Sequence, residues 1–573
     1  MKTTSKFKQI LYLLPIMGIA MTHSCAGSIE EFDDMTPLPE EEPQVTTQDK
    51  KARLFQQIVE EKKYGFFTMN VLINACGLAE ELSKTEDMAY YNARMSGQLT
   101  DLPQHPSYTG NGSSGRSPGV LPEHRYYGYT IFAEDDAWWE QQLGLQEGSI
   151  VNKKPEDVVA LVMDYITGNN PKGVDLHLPD ASTNTSYTDE NNALHQFVTY
   201  HILPAKIAPD KLVIHFNEYG YNPQIKNPKA SVYDYYTTMG KRRLLKTYEA
   251  ANPVGGNSGT VYLNRFPVQD NAPKGNYQEL ACDQDKAGIE IHTNDTMGIY
   301  NALFYRISDC LFFNEAVAKN MGSERIRIDM ANIFQEFITN DIRCNETLNY
   351  KHQCVGMPKN TAYKYLDNCE IGENTHFYYL TGRIGSNDGW INYQGDEFNI
   401  IGNYELTIKL PPVPKDGEYE LRIGTSANYH RGMCQVYWGT NKNNLPAKGF
   451  PIDLRMGGEY TTTNSGQEIP NNIGWQADTD DDDANAEVDK NMRNNGYMKG
   501  PKYIYWLGYY SNARERSNSL RRILLKENMK ADETYYIKLK DVLNNPNTIF
   551  YLDFIEFCPV NVYDNPIVPE DIW

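Results

Sequence analysis

Residues 404–427 read YELTIKLPPVPKDGEYELRIGTSA, and no other stretch restricts the fold as much. Tyr404, Leu406, Ile408 and Leu410 alternate with Glu405, Thr407 and Lys409, and Tyr419, Leu421 and Ile423 alternate again further on. Successive side chains of a strand point to opposite faces, so this rhythm means a sheet with one buried face. The proline-rich Asp-Gly segment between the two runs predicts a hairpin. Further strands are expected at 433–439, 502–510, 534–542 and 548–559, the last apolar on both faces as a central strand would be. Many strands with turn signals and little helix predict a two-sheet sandwich over 371–573.

The first half has a different rhythm. Leu72, Cys76, Ala79 and Leu82 recur at helical spacing within 64–82. A second helix is predicted over 154–169, with Pro155 in its first turn, Glu156 and Asp157 at its positive end and Gly168 at its exit. A third runs through Leu194, Phe197, Val198 and His201 on one stripe until Pro204 stops it. Short strands are expected at 211–216, 259–266 and 287–293, and the polar stretches 98–124 and 168–192 read as surface insertions. Ile333, Phe334, Phe337 and Ile338 predict one helix over 324–344. With 573 residues the chain exceeds what one core supports. The expected division is a leader at 1–24, a tether at 25–50, an α+β domain at 51–313, a helical connector at 314–370 and the sandwich at 371–573.

Lys2, Lys6 and Lys8 precede the apolar stretch 10–21, which is too short to span a bilayer and contains Pro15. It ends at Ser24-Cys25, which looks like the cleavage and acylation site of a bacterial lipoprotein; an ordinary secretory leader with an incidental cysteine is the alternative. On the first reading Cys25 is lipidated and anchors the chain to a membrane. The acidic run 26–34 behind it resembles the export signal that sends lipoproteins of Bacteroidota to the outer cell surface, and 36–51 reads as a polar, proline-rich linker.

A formal net charge of −21 repels phosphate backbones and argues against a nucleic-acid partner. The eight cysteines after Cys25 form no C-x-x-C pair, so no zinc site is expected, and Cys344, Cys354 and Cys369 are the most clustered candidates for disulfides. Asp478, Asp480, Asp482 and Asp489 have the spacing of a calcium loop, but the glycine and glutamate such a loop needs are missing, and a solvated acidic loop is expected instead. The sequence has no G-x-S-x-G elbow, H-E-x-x-H or phosphate-binding glycine loop, so no catalytic residue and no cofactor is assigned.

Three segments carry a resemblance. YTIFAEDDAWW at 129–139, LHQFVTYHILP at 194–204 and NALFYRISDCLFF at 301–313 resemble, in order, motifs of the fasciclin family, whose tyrosine-histidine pair falls here on Tyr200 and His201. Ala302, Tyr305 and Ser308 depart from that pattern. The resemblance implies a fasciclin-like domain used for adhesion rather than catalysis. A lone histidine on an apolar stripe next to Leu194 and Phe197 points to a packed ring with one satisfied hydrogen bond. The C-terminal half, through 415–438 and the closing strand 550–559, resembles galactose-binding-like jelly rolls used as carbohydrate-binding modules. The whole is similar to fasciclin-domain surface lipoproteins of Bacteroidota, often encoded beside outer-membrane importers of the starch-utilisation type.

Sugar recognition needs flat aromatic faces and planar polar groups. Loops of the second half supply Trp390, Tyr429, Arg431, Trp475 and Trp506 as candidate ligand contacts, with burial as core filler the competing reading. The expected function is non-catalytic capture of a glycan or glycoprotein at the cell surface, beside an importer. A docking subunit without glycan binding and a glycoside hydrolase are the alternatives. Exposed aromatics on the sandwich would favour the first, an apolar patch on the fasciclin-like half the second, and a cleft with two facing carboxylates the third.

Overall fold

A computed structural model describes most of residues 64–563; the longest stretches outside it within that range are 213–234, 250–259, 267–286, 343–351 and 383–395. The strand expected at 211–216, apart from the buried Leu212, and the cysteine Cys25 thus lie outside the described residues, as do Cys282 and Cys344. The chain is α+β, with helices concentrated in the first half and antiparallel sheets in the second. Among the described residues no helix is long and apolar enough to cross a membrane.

Three of the expected helical stretches in the first half form as expected in kind. Helix Pro155–Ile166 starts on its proline with Glu156 and Asp157 in the first turn. Helix Ala193–Tyr200 is capped by Asn192, whose side chain accepts from Leu194 N–H. The 64–82 stretch is two helices, Phe67–Ala75 and Ala79–Leu82, because Gly77 between them takes a φ of +70°. These helices pack on a seven-stranded sheet in the order Ile202–Leu203, Tyr129–Ala133, Ala302–Ile307, Ile289–Ile299, Val261–Leu263, Leu244–Glu249 and Tyr235–Thr237. The three segments singled out in the sequence therefore lie side by side. Tyr129–Ala133 pairs antiparallel with Ile202–Leu203 and parallel with Ala302–Ile307. Met239 N–H, just past the last strand, donates to Ile202 O on the first, so the sheet is nearly closed into a barrel.

The second half holds three main antiparallel sheets. Strands Glu405–Lys409 and Gly417–Thr425 were expected to pair as a hairpin. They do not. Glu405–Lys409 pairs with Cys369–Ile371 and Tyr536–Asp541, whereas Gly417–Thr425 pairs with Leu520–Met529 and Phe554–Pro559. The link between them carries Pro411, Pro412 and Pro414 and crosses from one sheet to the other. Proline offers no ladder N–H, which suits a crossing and not a tight turn.

The segment 324–344 also differs from expectation. Its start is the strand Ile326–Asp329, and only Met330–Ile333 and Glu336–Thr339 are helical. Asp329 ends the strand by accepting from Ala331 N–H with its side chain at 2.8 Å. Phe334 and Phe337 pack edge-on against Phe377, Tyr379 and Phe398 of the sheet formed by His352–Met357, Thr375–Gly382, Asp396–Gly402 and Ile549–Leu552. Residues 314–370 thus contribute strands and ring contacts to the second half, and residues 54–573 form one compact unit.

Arg327, Glu556 and Arg422 stand directly opposite one another on three neighbouring strands. Arg327 Nε donates to Glu556 Oε1 at 2.8 Å, and Arg521 and Arg325 approach the same carboxylate at 3.6 Å. Burial works against ionisation of Glu556, but Arg521, Arg327, Arg325 and Arg422 together outweigh it and hold its carboxyl well below the usual carboxylate range. A carboxyl depressed in the folded state adds stability above its unfolded pKa, and that stability is lost as pH falls toward the folded value. Glu556→Gln leaves buried guanidinium groups without their counter-charge. Urea unfolding at pH 7 should show a loss of about 3–5 kcal/mol, shrinking toward acid pH as the parent carboxyl protonates. A pH-independent loss would mean that packing rather than charge is responsible.

Candidate binding site

His201 follows helix Ala193–Tyr200 and is fully buried. Its Nδ1 lies 2.7 Å from Phe197 O, and a carbonyl only accepts, so Nδ1 carries a proton. Its Nε2 lies 3.3 Å from Glu134 Oε1, which also accepts from Leu311 N–H at 2.8 Å. The ring joins the ends of three core elements and is fully buried. Tyr200 turns the other way: its hydroxyl donates to Leu244 O at 3.1 Å and receives Asn264 Nδ2–H at 3.0 Å. Burial raises its phenol well above the ordinary tyrosine range. The pair thus fastens the helix to both sides of the seven-stranded sheet.

Of the five candidate contacts of the second half, Trp475 and Arg431 have described side chains, and these stand in different surroundings. Trp390 and Tyr429 lie outside the described residues. Trp506 ends the strand Tyr503–Trp506, opposite Tyr509. Trp475 is buried at 6% exposure with Ile473, Met492, Tyr497 and Leu520 and fills a small core. Arg431 is half-buried. Its Nη2 donates to Ser426 Oγ at 2.7 Å, and its guanidinium lies over the Tyr551 ring at 5.3 Å. Burial lowers its pKa, while Glu397 and the Tyr551 phenol act in the opposite sense. Asn399 donates to Glu397 at 2.9 Å, and Tyr551 O–H to Asp553 at 3.0 Å. Glu397 and Asn399 went unnoticed in the sequence, although they flank Phe398 on the strand Asp396–Gly402.

The acidic run 478–489 is not a cation loop. Residues Asp482–Asn494 form a helix capped by Asp481, and Asp478 and Asp489 both face the buried Lys499 ammonium, at 2.6 and 3.8 Å. Of the cysteines expected to pair, Cys354 and Cys369 are buried free thiols, as are Cys76 and Cys434.

A surface the sequence did not reveal lies on the first half. The rings of Tyr91, His124 and Tyr126 form a parallel column, with centroids 4.9 and 5.1 Å apart and planes within 14° and 10°. His124 Nδ1 meets Glu86 at 2.7 Å, and Glu123 lies 3.6 Å from its Nε2. The column is firmly mounted. Tyr90 O–H donates to Pro122 O at 2.7 Å, Tyr365 O–H to His124 O at 3.1 Å, and Asn340 Oδ1 accepts from Tyr126 N–H at 2.7 Å. Between the two outward rings, Arg125 points inward to Asp87 at 3.0 Å and Asp367 at 2.6 Å. The extended backbone explains the alternation: one residue in, its neighbours out. Tyr126 is 38% exposed, Tyr300 nearby 55%, and Met88, one helical turn before Tyr91, 48%.

No family model matches the chain, and no curated protein matches it.

A buried carboxylate deprived of its partner is costly. His201→Leu should lower stability by about 3–5 kcal/mol in urea unfolding, and adding Glu134→Leu should restore much of it. If the single variant is as stable as the parent, the ring does not compensate Glu134.

Proposed function

We propose that this chain is a non-catalytic binding protein of the cell surface, anchored through Cys25 and capturing a glycan or glycoprotein beside an outer-membrane importer. The fold reading that goes with it is a fasciclin-like domain followed by a jelly-roll sandwich. It is supported by the adjacency of 129–133, 202–203 and 302–307 in one sheet and by the antiparallel sheets after 352.

The observation that carries the reading is the ring column Tyr91–His124–Tyr126. Pyranose rings present C–H faces to flat aromatics and hydroxyls to planar polar groups. Here the rings stand at the surface with Glu86 and Glu123 alongside, on a segment held by hydrogen bonds from Tyr90, Tyr365 and Asn340, so little order has to be gained on binding. The Arg431–Glu397–Asn399 group is a second candidate contact in the sandwich half.

The exposed Met88, Met95 and Tyr300 favour a second reading, in which the same face docks another outer-membrane protein. One pair of measurements separates the two. On a glycan array the full chain should retain a sugar, with Tyr126→Ala weakening retention by about tenfold or more and Arg431→Ala measuring the other candidate. A pulldown from surface-labelled cells that yields a membrane-protein complex sensitive to Tyr126→Ala, with a blank array, would replace glycan capture by docking.

A further inference from the structure

The sheet that contains Glu405–Lys409, Tyr536–Asp541 and Met433–Gly439 has an apolar side and a polar side. Leu406, Leu539 and Val436 stand opposite one another and are buried, as are Ile408, Ile537 and Trp438. Side chains alternate along a strand, so the residues between them face the other way. There the middle row reads Glu370, Thr407, Lys538 and Tyr437, flanked by Lys540 opposite Glu405 and by Tyr536 opposite Lys409. This side meets solvent: the Lys540 side chain is 48% exposed, and that of Lys442, which reaches in from the loop after Met433–Gly439, 46%.

Two features set the face apart. The first is its charge. Four ammonium groups, on Lys409, Lys442, Lys538 and Lys540, stand with two carboxylates, those of Glu370 and Glu405, on a chain whose formal net charge is −21. Glu405 is shared, with Oε1 2.9 Å from Lys538 Nζ and Oε2 2.8 Å from Lys540 Nζ, while Lys442 Nζ lies 2.6 Å from Glu370. Lys409 is exposed and has no carboxylate opposite it. The second feature is aromatic. Tyr437 and Tyr536 are partly exposed and take diagonal positions on neighbouring strands. Such positions are about 7–8 Å apart in an antiparallel pair. The Tyr437 phenol acts on the Lys540 ammonium and the Tyr536 phenol on that of Lys442, so each ring stands beside a cation.

We propose that this face binds a uronic-acid glycan, with sugar rings on Tyr437 and Tyr536 and carboxylates on Lys409, Lys538 and Lys540. The lysines of the face already hold carboxylates, those of Glu370 and Glu405, at hydrogen-bond distance. Exposed ion pairs contribute little to folding, so a ligand carboxylate exchanges with them at small cost. The phenol rings supply flat faces for the C–H groups of the sugar. At physiological ionic strength charges are screened beyond about 8 Å, so the ligand meets the local excess of positive charge and not that of the whole chain. Duplex DNA fits poorly, because its charges follow every ~1.7 Å along a stiff rod that runs past the face onto the acidic remainder of the surface.

The inference rests on the glycan-capture reading for the kind of ligand and uses a surface other than the ring column. Binding of the full chain to immobilised polygalacturonate, dextran and double-stranded DNA tests it, by interferometry at about 50 mM salt, where charges are screened least. Polygalacturonate should bind, and dextran and DNA should not. Tyr437→Ala should weaken binding about tenfold, and Lys409→Gln and Lys540→Gln, at exposed side chains that leave the fold intact, should do so by about threefold or more. Tyr126→Ala should bind polygalacturonate as the parent does. Failure to bind polygalacturonate, with neutral glycans still retained on the array, overturns this inference and leaves glycan capture standing. So does loss of binding in Tyr126→Ala, which assigns the acidic glycan to the ring column. Equal binding of DNA, or parental affinity in both lysine variants, also overturns it. Retention of no glycan of any kind overturns both readings.

Discussion

Glu556 sits where two distant parts of the chain meet. Its strand is flanked by Ile326–Asp329 and by Gly417–Thr425, and its carboxylate receives guanidinium groups from both sides. Apolar pairs such as Ile328 with Ile555 would hold the strands together in either sign of slip, but a buried charge tolerates no slip. Moving either neighbour by one residue would turn Arg327 or Arg422 to the opposite face and strand the carboxylate among apolar atoms. The charged row therefore fixes register, and through register it fixes where Asp553, Tyr551 and the Arg431 group stand at the end of the neighbouring sheet. Glu420 repeats the device two residues earlier, accepting from Arg422 and from Arg493 of the Asp482–Asn494 helix.

The first half solves the same problem with fewer charges. His201 and Glu134 form a fully buried contact that ties a helix end to two strand ends, while Arg125 joins the 122–127 segment to Asp87, Glu336 and Asp367. At Arg125 the buried cation leaves something exposed in a fixed position. Arg125 buries its charge and thereby turns His124 and Tyr126 outward, where their rings stack with Tyr91. A candidate binding surface is thus a by-product of an interior ion network, and its rigidity comes from that network and not from the rings.

Much of this was legible in the sequence. Helical spacing located Pro155–Ile166 and Ala193–Tyr200, the apolar stripe put His201 inside, and alternation found Glu405–Lys409 and Gly417–Thr425, whereas the single strand expected at 548–559 is two, Ile549–Leu552 and Phe554–Pro559, in different sheets. What alternation does not carry is partnership. The 404–427 stretch has the pattern of a hairpin, and only the three prolines in its link hint that the two strands part company. The run Ile326–Asp329 alternates too, but the ring pattern of 333–338 outweighed it and suggested one long helix. Trp475 is an aromatic in a polar context whose burial depends on Met492, Tyr497 and Leu520, none of them a neighbour in sequence. Tyr91, His124 and Tyr126 come from two separate segments with no motif.

The pairing of Arg327 with Glu556 spans 229 residues. During synthesis at about 5–20 residues per second, the strand Ile326–Asp329 waits roughly ten to fifty seconds for its neighbour to be made. Until then it presents two isoleucines and unpaired backbone to its surroundings, next to charged residues that discourage foreign strands. Completion of this sheet is therefore gated by the late arrival of the strand Phe554–Pro559.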